Sequence, residues 1–153
     1  MSDDDAELEL ALRFPILGGA FLMAGRASVL IKRALEEAGV EAGLVRRAAL
    51  CAYEAEMNVV IYARSGSLSV EVNRRQVRIV AQDRGPGIAD VDLAFTPGYS
   101  TASAKVRELG FGAGMGLPNI RTHADQVAVE TVPGQGTRLV ISFERTSKRD
   151  DSS

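Results

Sequence analysis

The sequence predicts an α+β domain in which helices pack on one face of a mixed, mostly antiparallel sheet. Helical periodicity dominates the first half of the chain, and short β-like runs dominate the second half. The 153 residues suit one buried core, and an apolar share of 46% with 25% charged residues is that of an ordinary globular protein. We expect one domain over residues 6–145, with flexible tails at 1–5 and 146–153.

Two helices are predicted in the first half, after a short strand over Leu8–Phe14 that Pro15 interrupts. The first helix runs from about Leu22 to Ala38, and Gly39 suits its end. The second runs from about Ala42 to Ala63. Its apolar stripe, in which Cys51 is a buried structural thiol rather than a reactive one, is Leu44, Ala48, Cys51, Ala55 and Val59.

The second half alternates as strands do. Ser67–Val72 and Val77–Gln82 flank a short polar turn and predict a hairpin. Met115–Ala124 has a helical pattern, and Val127–Val132 with Thr137–Phe143 predict two closing strands. Between the hairpin and this helix, residues 95–114 show no clean period. A loop of ~20 residues in a compact domain is usually functional.

Composition excludes several functions. The net charge of -2 gives no basic footprint for nucleic acid, and no run approaches the ~20 apolar residues that cross a bilayer. The single cysteine cannot form an internal disulfide or build a cysteine metal site alone, and the single histidine, His123, limits metal ligation further. We interpret His123 as a structural or surface residue. The acidic start does not resemble a secretory signal, so we expect a cytoplasmic protein.

The second helix carries a polar pair, Glu54 and Asn58, four residues apart and therefore on one face. Alone, this pair is better explained by a solvated helix face. Asn58 is followed by an apolar run, so it is heading into the protein, where an unpaired amide costs ~1–3 kcal/mol. Mg²⁺ is a suitable partner, since it takes few protein oxygens and leaves other positions to water and phosphate.

Asp83 begins an Asp-Arg-Gly-Pro-Gly sequence directly after a predicted strand. An ordinary strand-ending turn is one explanation. The other is that Gly85 and Gly87 let a flat ligand approach the backbone, while the Asp83 carboxylate accepts a hydrogen bond from an exocyclic amine such as that of adenine. Thr137, before the last strand, can support Asp83 if the two strands are neighbours.

A glycine at every second position marks the segment from Gly110 to Gly116, just before a predicted helix. Free backbone N–H groups at a helix start bind phosphate, and glycines leave room for its approach. A flexible surface loop is the competing explanation. No Lys-Ser or Lys-Thr follows, so this is not a Walker loop, and the spacing does not fit the Rossmann pattern.

In this order, these motifs resemble the GHKL, or Bergerat-type, ATP-binding superfamily over roughly residues 42–143. The resemblance implies a two-layer α/β sandwich with an ATP lid. It also implies that Glu54 is a general base, that Asn58 binds Mg²⁺, and that Asp83 reads adenine with support from Thr137. The other residues it implies at the nucleotide are Gly85, Gly87, Ile88, Lys105, Gly110, Gly112, Gly114, Met115, Gly116 and Leu117.

Within that superfamily the chain is most similar to the small bacterial anti-sigma-factor serine/threonine kinases, or switch kinases. Glu54 upstream of Asn58 and the stretch Asp90–Ala94 followed by 97–101 carry this likeness. The chain departs from the pattern of these kinases at three places: Tyr62, the additional acid Glu56 and a lengthened lid at 102–109. The resemblance implies phosphorylation of a partner, either a STAS-like antagonist or a sigma-type regulator, and permits a homodimer. An ATPase and an ATP-sensing module without catalysis remain alternatives.

Overall fold

The computed structural model describes residues 7–99 and 116–146, which form one sheet covered by helices. The helices are α1 Arg26–Glu37, α2 Ala42–Tyr62, α3 Val91–Ala94 and α4 Gly116–His123, with a 3-10 turn at Phe21–Met23. The strands are β1 Leu10–Leu17, β2 Ser65–Val72, β3 Gln76–Arg84, β4 Gln126–Val132 and β5 Gly136–Glu144.

Within the described residues the sheet has the order β1-β2-β3-β5-β4, and its four pairings are antiparallel. β3 and β5 are therefore neighbours although about 50 residues of chain separate them. The connection between these two strands contains the predicted loop and helix. The α+β architecture with helices over an antiparallel sheet is confirmed.

Helix α2 is the centre of the core. The predicted apolar stripe is confirmed, since all five of its members are buried. Three of them, Ala48, Cys51 and Ala55, are fully buried and small. Small side chains let α1 and α4 approach α2 closely while α2 itself lies on the sheet. Burial raises the pKa of the Cys51 thiol to about 12, so the thiol stays protonated as a packing group.

β1 continues through Pro15 to Leu17, past the end that the sequence predicted. Pro15 stands opposite Ser67 in β2, on a strand that is paired on one side only within the described residues. Proline has no N–H to donate, and an edge strand tolerates this because half of its backbone groups face away from the sheet. Pro15 therefore does not end the strand as its sequence predicted, because β1 lies at the edge of the sheet.

Helix α1 begins at Arg26, four residues later than predicted, after the 3-10 turn. Gly25, with φ of 96°, redirects the chain into the helix. The predicted end is confirmed: Gly39 has φ of 79°, and the N–H groups of Gly39 and Val40 donate to Glu36 and Leu35. This pair of backbone hydrogen bonds is the Schellman motif.

Glu56 explains the late start of α1. It is only 2% exposed, and its carboxylate accepts hydrogen bonds from the backbone N–H groups of Gly25, Ala27 and Ser28 at 3.0, 3.3 and 2.9 Å. Those donors are otherwise unsatisfied at a helix start, where a negative charge also meets the positive end of the helix dipole. The additional acid in the sequence motif is therefore a cap supplied by α2 to α1.

No helix among the described residues combines the length and the apolar character needed to cross a membrane.

Glu56→Ala is expected to lower the free energy of unfolding by about 2 to 4 kcal/mol, because three N–H groups lose a charged, buried acceptor. Urea denaturation measures this loss. Glu37→Ala, which removes an exposed carboxylate from the end of α1, is the matched control and is expected to change stability by less than about 0.5 kcal/mol. Equal effects of the two substitutions would contradict the capping role.

Candidate nucleotide-binding site

Helix α2 places Glu54 and Asn58 on one half-buried face, as their spacing predicted. Glu54 Oε2 accepts a hydrogen bond of 3.0 Å from Asn119 Nδ2 on α4. The Asn58 side chain makes no hydrogen bond to any of the described residues. A half-buried amide without such a bond is suited to an external partner.

Asp83 lies near the end of β3, directly opposite Thr137 of β5. The adjacency that would let Thr137 support Asp83 is confirmed. The contact is made by the backbone: the Thr137 N–H donates to Asp83 Oδ1 at 3.2 Å. Desolvation by burial raises the pKa of the Asp83 carboxyl above its usual 3.8, and the Thr137 N–H opposes that rise in pKa. A half-buried, desolvated carboxylate interacts strongly with a ligand that can donate to it.

The turn after β3 is shaped by close backbone approach. A Cβ on Gly85 would lie 3.0 Å from Ala63 Cα, at the end of α2, and 3.2 Å from Asp83 Oδ1. A Cβ on Gly87 would lie 2.6 Å from the Val132 carbonyl oxygen, and its φ of 75° is itself unfavourable for other residues. Side chains here would push the turn away from both α2 and β4.

A threonine that the sequence motifs did not single out joins this turn to the sheet. Thr131 Oγ1 accepts from the Ile88 N–H at 2.8 Å and lies 3.0 Å from Thr137 Oγ1. Thr131 and Thr137 are direct cross-strand partners on the β4–β5 hairpin. The signal available in the sequence was their placement on the two sides of the predicted Pro133–Gly136 turn, each three residues from Gly134.

The hydroxyl network has an arrangement that satisfies both protons. Thr137 donates to Thr131 Oγ1, and Thr131 donates to the Gly136 carbonyl oxygen at 3.3 Å. Thr131 then accepts from both Ile88 and Thr137. Among the described residues no donor bonds to Thr137 Oγ1 in this arrangement, so its lone pairs can accept from a water or a ligand donor.

Helix α4 brings Gly116 against Glu54 of α2, and Leu117 beside it is buried at 9% exposure. The other residues predicted for this side lie outside the described residues: Lys105, Gly110, Gly112, Gly114 and Met115. Arg121, which follows that segment in sequence, contacts Phe95, which precedes it. The Arg121 guanidinium lies 4.2 Å from the centre of the buried Phe95 ring.

The described residues contain no cluster of three or more His, Cys, Asp or Glu side chains arranged to hold a metal ion. His123 Nδ1 lies 2.8 Å from the Asn119 carbonyl oxygen one turn earlier in α4, as expected of a structural histidine. His123 also lines an open groove of about 660 Å³, together with Glu41, Arg46, Arg47 and Glu144.

A family described as histidine kinase-, DNA gyrase B- and HSP90-like ATPase matches residues 43–147. The chain belongs to this ATPase family. The matched segment begins in α2 and ends after β5, so it includes Asn58, Asp83 and Thr137. Membership of the family supports the use of ATP at this site.

Among curated relatives, the serine/threonine-protein kinase RsbT of Bacillus subtilis is 30% identical over 90 residues, covering 56% of this chain and 62% of that protein. The anti-sigma F factor of Pasteuria penetrans is 40% identical over 91 residues, covering 55% of this chain and 57% of that protein. The chain thus spans about three fifths of the relatives that it matches.

A solved structure, the mycobacterial sensor histidine kinase MprB, superposes with a TM-score of 0.50 at 15% identity. The match covers 88% of this chain and 98% of that chain. At this identity the likeness concerns the fold, and it confirms the predicted architecture of this ATPase family.

Asp83→Asn is expected to raise the melting temperature of the ligand-free protein near pH 7. The raised pKa means that the folded chain holds the Asp83 proton more tightly than the unfolded chain does. The associated stability is fully present below pH 3.8 and is lost as the pH rises through the folded pKa. Asparagine does not ionise and avoids this loss.

Thermal unfolding from about pH 3 to pH 8 measures the difference, which should shrink toward zero at the acidic end as Asp83 becomes protonated. Asp92→Asn, at an exposed position of α3, is the control and is expected to show no such pH-dependent gap. A wild type that is more stable than Asp83→Asn at neutral pH would contradict the desolvation of this carboxyl.

Proposed function

We propose that the chain is an Mg-ATP-dependent serine/threonine protein kinase of the anti-sigma regulatory type, which phosphorylates a partner protein in a partner-switching pathway. The observation that carries the proposal is Glu54. Its carboxylate lies one turn before Asn58 on the same helix face and is tied to the beginning of α4 through Asn119. An ATP-binding site with a base so placed has the group that a hydroxyl nucleophile requires. The names of the kinase and anti-sigma relatives support the same reaction.

The adenine end of the nucleotide is proposed to lie against Asp83, with Gly85, Gly87 and Ile88 forming the wall beside it. The free lone pairs of the Asp83 carboxylate and of the Thr137 hydroxyl suit an exocyclic amine and a bridging water. Leu117 contributes apolar surface at the beginning of α4. The fit rests on the desolvated carboxylate and on the space that Gly85 leaves between Asp83 and α2.

Asn58 is proposed to hold Mg²⁺ through its side-chain oxygen, since the amide makes no hydrogen bond within the described residues. The phosphates are assigned to the N–H groups of the glycine-rich segment and Gly116, with charge from Lys105. The residues assigned there beyond Gly116 are Gly110, Gly112, Gly114 and Met115.

Bound Mg-ATP supplies the transferable phosphoryl group. Glu54 accepts the proton of a serine hydroxyl on the partner as the serine oxygen bonds to phosphorus, and ADP departs with the electrons of the broken P–O bond. Phosphoryl transfer depends mainly on positioning and on charge stabilisation, which Asn58, Glu54 and the helix start would provide.

The partner is proposed to be a small STAS-like antagonist or a sigma-type regulator, and the location the cytoplasm, where bacterial sigma regulators act. The side of β1 that no described strand pairs, at the edge of the sheet, offers a pairing surface to a second copy of the chain. Sedimentation of the purified chain tests this homodimer, and a monomer at micromolar concentration would oppose it.

Asp83→Asn is expected to weaken Mg-ATP binding by about 10- to 100-fold, because the exocyclic amine loses a charged acceptor. Isothermal titration calorimetry of wild type and variant measures this, with Asp92→Asn as the matched control. Together with the expected gain in stability, a loss of affinity would identify Asp83 as a binding residue retained at a cost to folding. Equal affinity in wild type and Asp83→Asn would rule out the adenine assignment.

Glu54→Gln is expected to reduce phosphoryl transfer by about 10²- to 10⁴-fold while the Mg-ATP affinity stays near that of wild type. Labelled ATP is incubated with the chain and each purified STAS-type protein of the source organism, and labelled protein, free phosphate and residual ATP are measured. Label on a partner serine supports the kinase.

Free phosphate alone would instead identify an ATPase, and bound but unconsumed ATP an ATP-sensing module. Loss of ATP binding in Glu54→Gln would show that the residue acts in binding rather than as a base.

A further inference from the structure

The only hydrogen bond of the Glu54 side chain within the described residues comes from Asn119, in the first half of α4. Asn119 Nδ2 is 3.0 Å from Glu54 Oε2, and both side chains are half-buried. The two residues are 65 positions apart in sequence, so no local constraint pairs them. An amide N–H is a donor that keeps its protons at every accessible pH, and it therefore fixes the carboxylate without exchanging a proton with it.

The second oxygen of Glu54 has a different environment. A Cβ placed on Gly116 would lie 3.3 Å from Oε1, which is tighter than ordinary van der Waals contact. Glycine at the first position of α4 therefore keeps a side chain from this position away from Oε1. Within the described residues the two oxygens are thus distinguished, since Asn119 donates to Oε2 and no donor bonds to Oε1.

We propose that Asn119 is a positioning residue: it holds Oε2 so that Oε1 is the oxygen presented to the substrate hydroxyl. The inference rests on the proposed kinase function and adds to it the group that orients the base. A glutamate has three rotatable bonds, and a fixed donor on one oxygen removes most of the rotamers in which Oε1 faces elsewhere. In the transfer step Oε1 takes the serine proton, the serine oxygen bonds to phosphorus, ADP leaves, and Asn119 keeps its own protons throughout.

A purely structural role is the alternative, in which the same hydrogen bond simply joins α4 to α2. The two roles differ in what they change. Loss of an orienting group lowers kcat with little effect on ground-state binding of Mg-ATP, whereas loosening of α4 changes ATP affinity and thermal stability together. The orienting role also requires that Asn119 act only through Glu54.

The test is a double-mutant cycle in the full chain with Asn119→Ala, Glu54→Gln and both together. ADP formation from Mg-ATP is measured with and without the STAS-type proteins, and ATP affinity by calorimetry. Asn119→Ala is expected to lower kcat about 10- to 100-fold with an ATP Kd within about threefold of wild type. In the Glu54→Gln background the same substitution is expected to cause no further loss, since residues that act as one unit are not additive.

Two further variants separate shape from hydrogen bonding. Asn119→Asp keeps the shape but replaces the donor with a second carboxylate, and it is expected to lose activity at least as strongly as Asn119→Ala. Thr122→Ala, on an exposed position of the same helix where the hydroxyl bonds only to the Pro118 carbonyl, is the matched control and is expected to retain wild-type kcat.

The outcomes separate the two proposals. Turnover that depends on Glu54 but is unchanged in Asn119→Ala overturns the positioning role and leaves the kinase proposal intact. Multiplicative losses in the double variant, or a parallel fall in ATP affinity and melting temperature, likewise overturn it. A wild type that forms no ADP, or whose turnover Glu54→Gln does not change, overturns the proposed function and the positioning role together.

Discussion

The packing of α2 across the middle of the sheet is the constraint on which the rest of the molecule depends. The middle of its buried side, from Ala48 to Ala55, carries small residues, so α1 and α4 lie close to it. This close packing also restricts the directions in which the polar side chains of α2 can point. Glu56 turns toward the beginning of α1, and Glu54 turns toward α4. Successive residues of α2 therefore supply a candidate base, Glu54, a core residue, Ala55, and the cap of α1, Glu56.

The two glutamates Glu54 and Glu56 have the same chemistry but differ in burial and in the hydrogen-bond donors around them. Glu56 is 2% exposed and is surrounded by three backbone donors, so its charge is compensated within the protein. Glu54 is half-buried, and among the described residues its carboxylate has a single amide donor, on one of its two oxygens. Asp83 is a third case, a desolvated carboxyl whose raised pKa reflects incomplete compensation. Incomplete compensation of this kind is typical of ligand-binding positions.

Much of the fold and of the site could be predicted from the sequence because the relevant signals are local. Helical spacing identified the buried stripe of α2, Gly39 identified the end of α1, and alternation identified the hairpin and the closing strands. The Asp83 turn and the polar pair on α2 were visible as motifs. Local signals failed where a tertiary neighbour replaced them, as at Pro15 on the sheet edge and at the beginning of α1.

By itself the sequence determined which elements form, that a glycine-containing turn follows β3, and that the chain belongs to an ATPase family. Only the tertiary structure decided the partners of the polar groups: Thr131 with Ile88 and Thr137, Glu56 with the beginning of α1, and Asn119 with Glu54. The physical reason is the length scale of the interactions. Periodicity and turn chemistry act over a few residues, whereas a hydrogen bond between side chains 65 residues apart exists only once packing has brought two elements together.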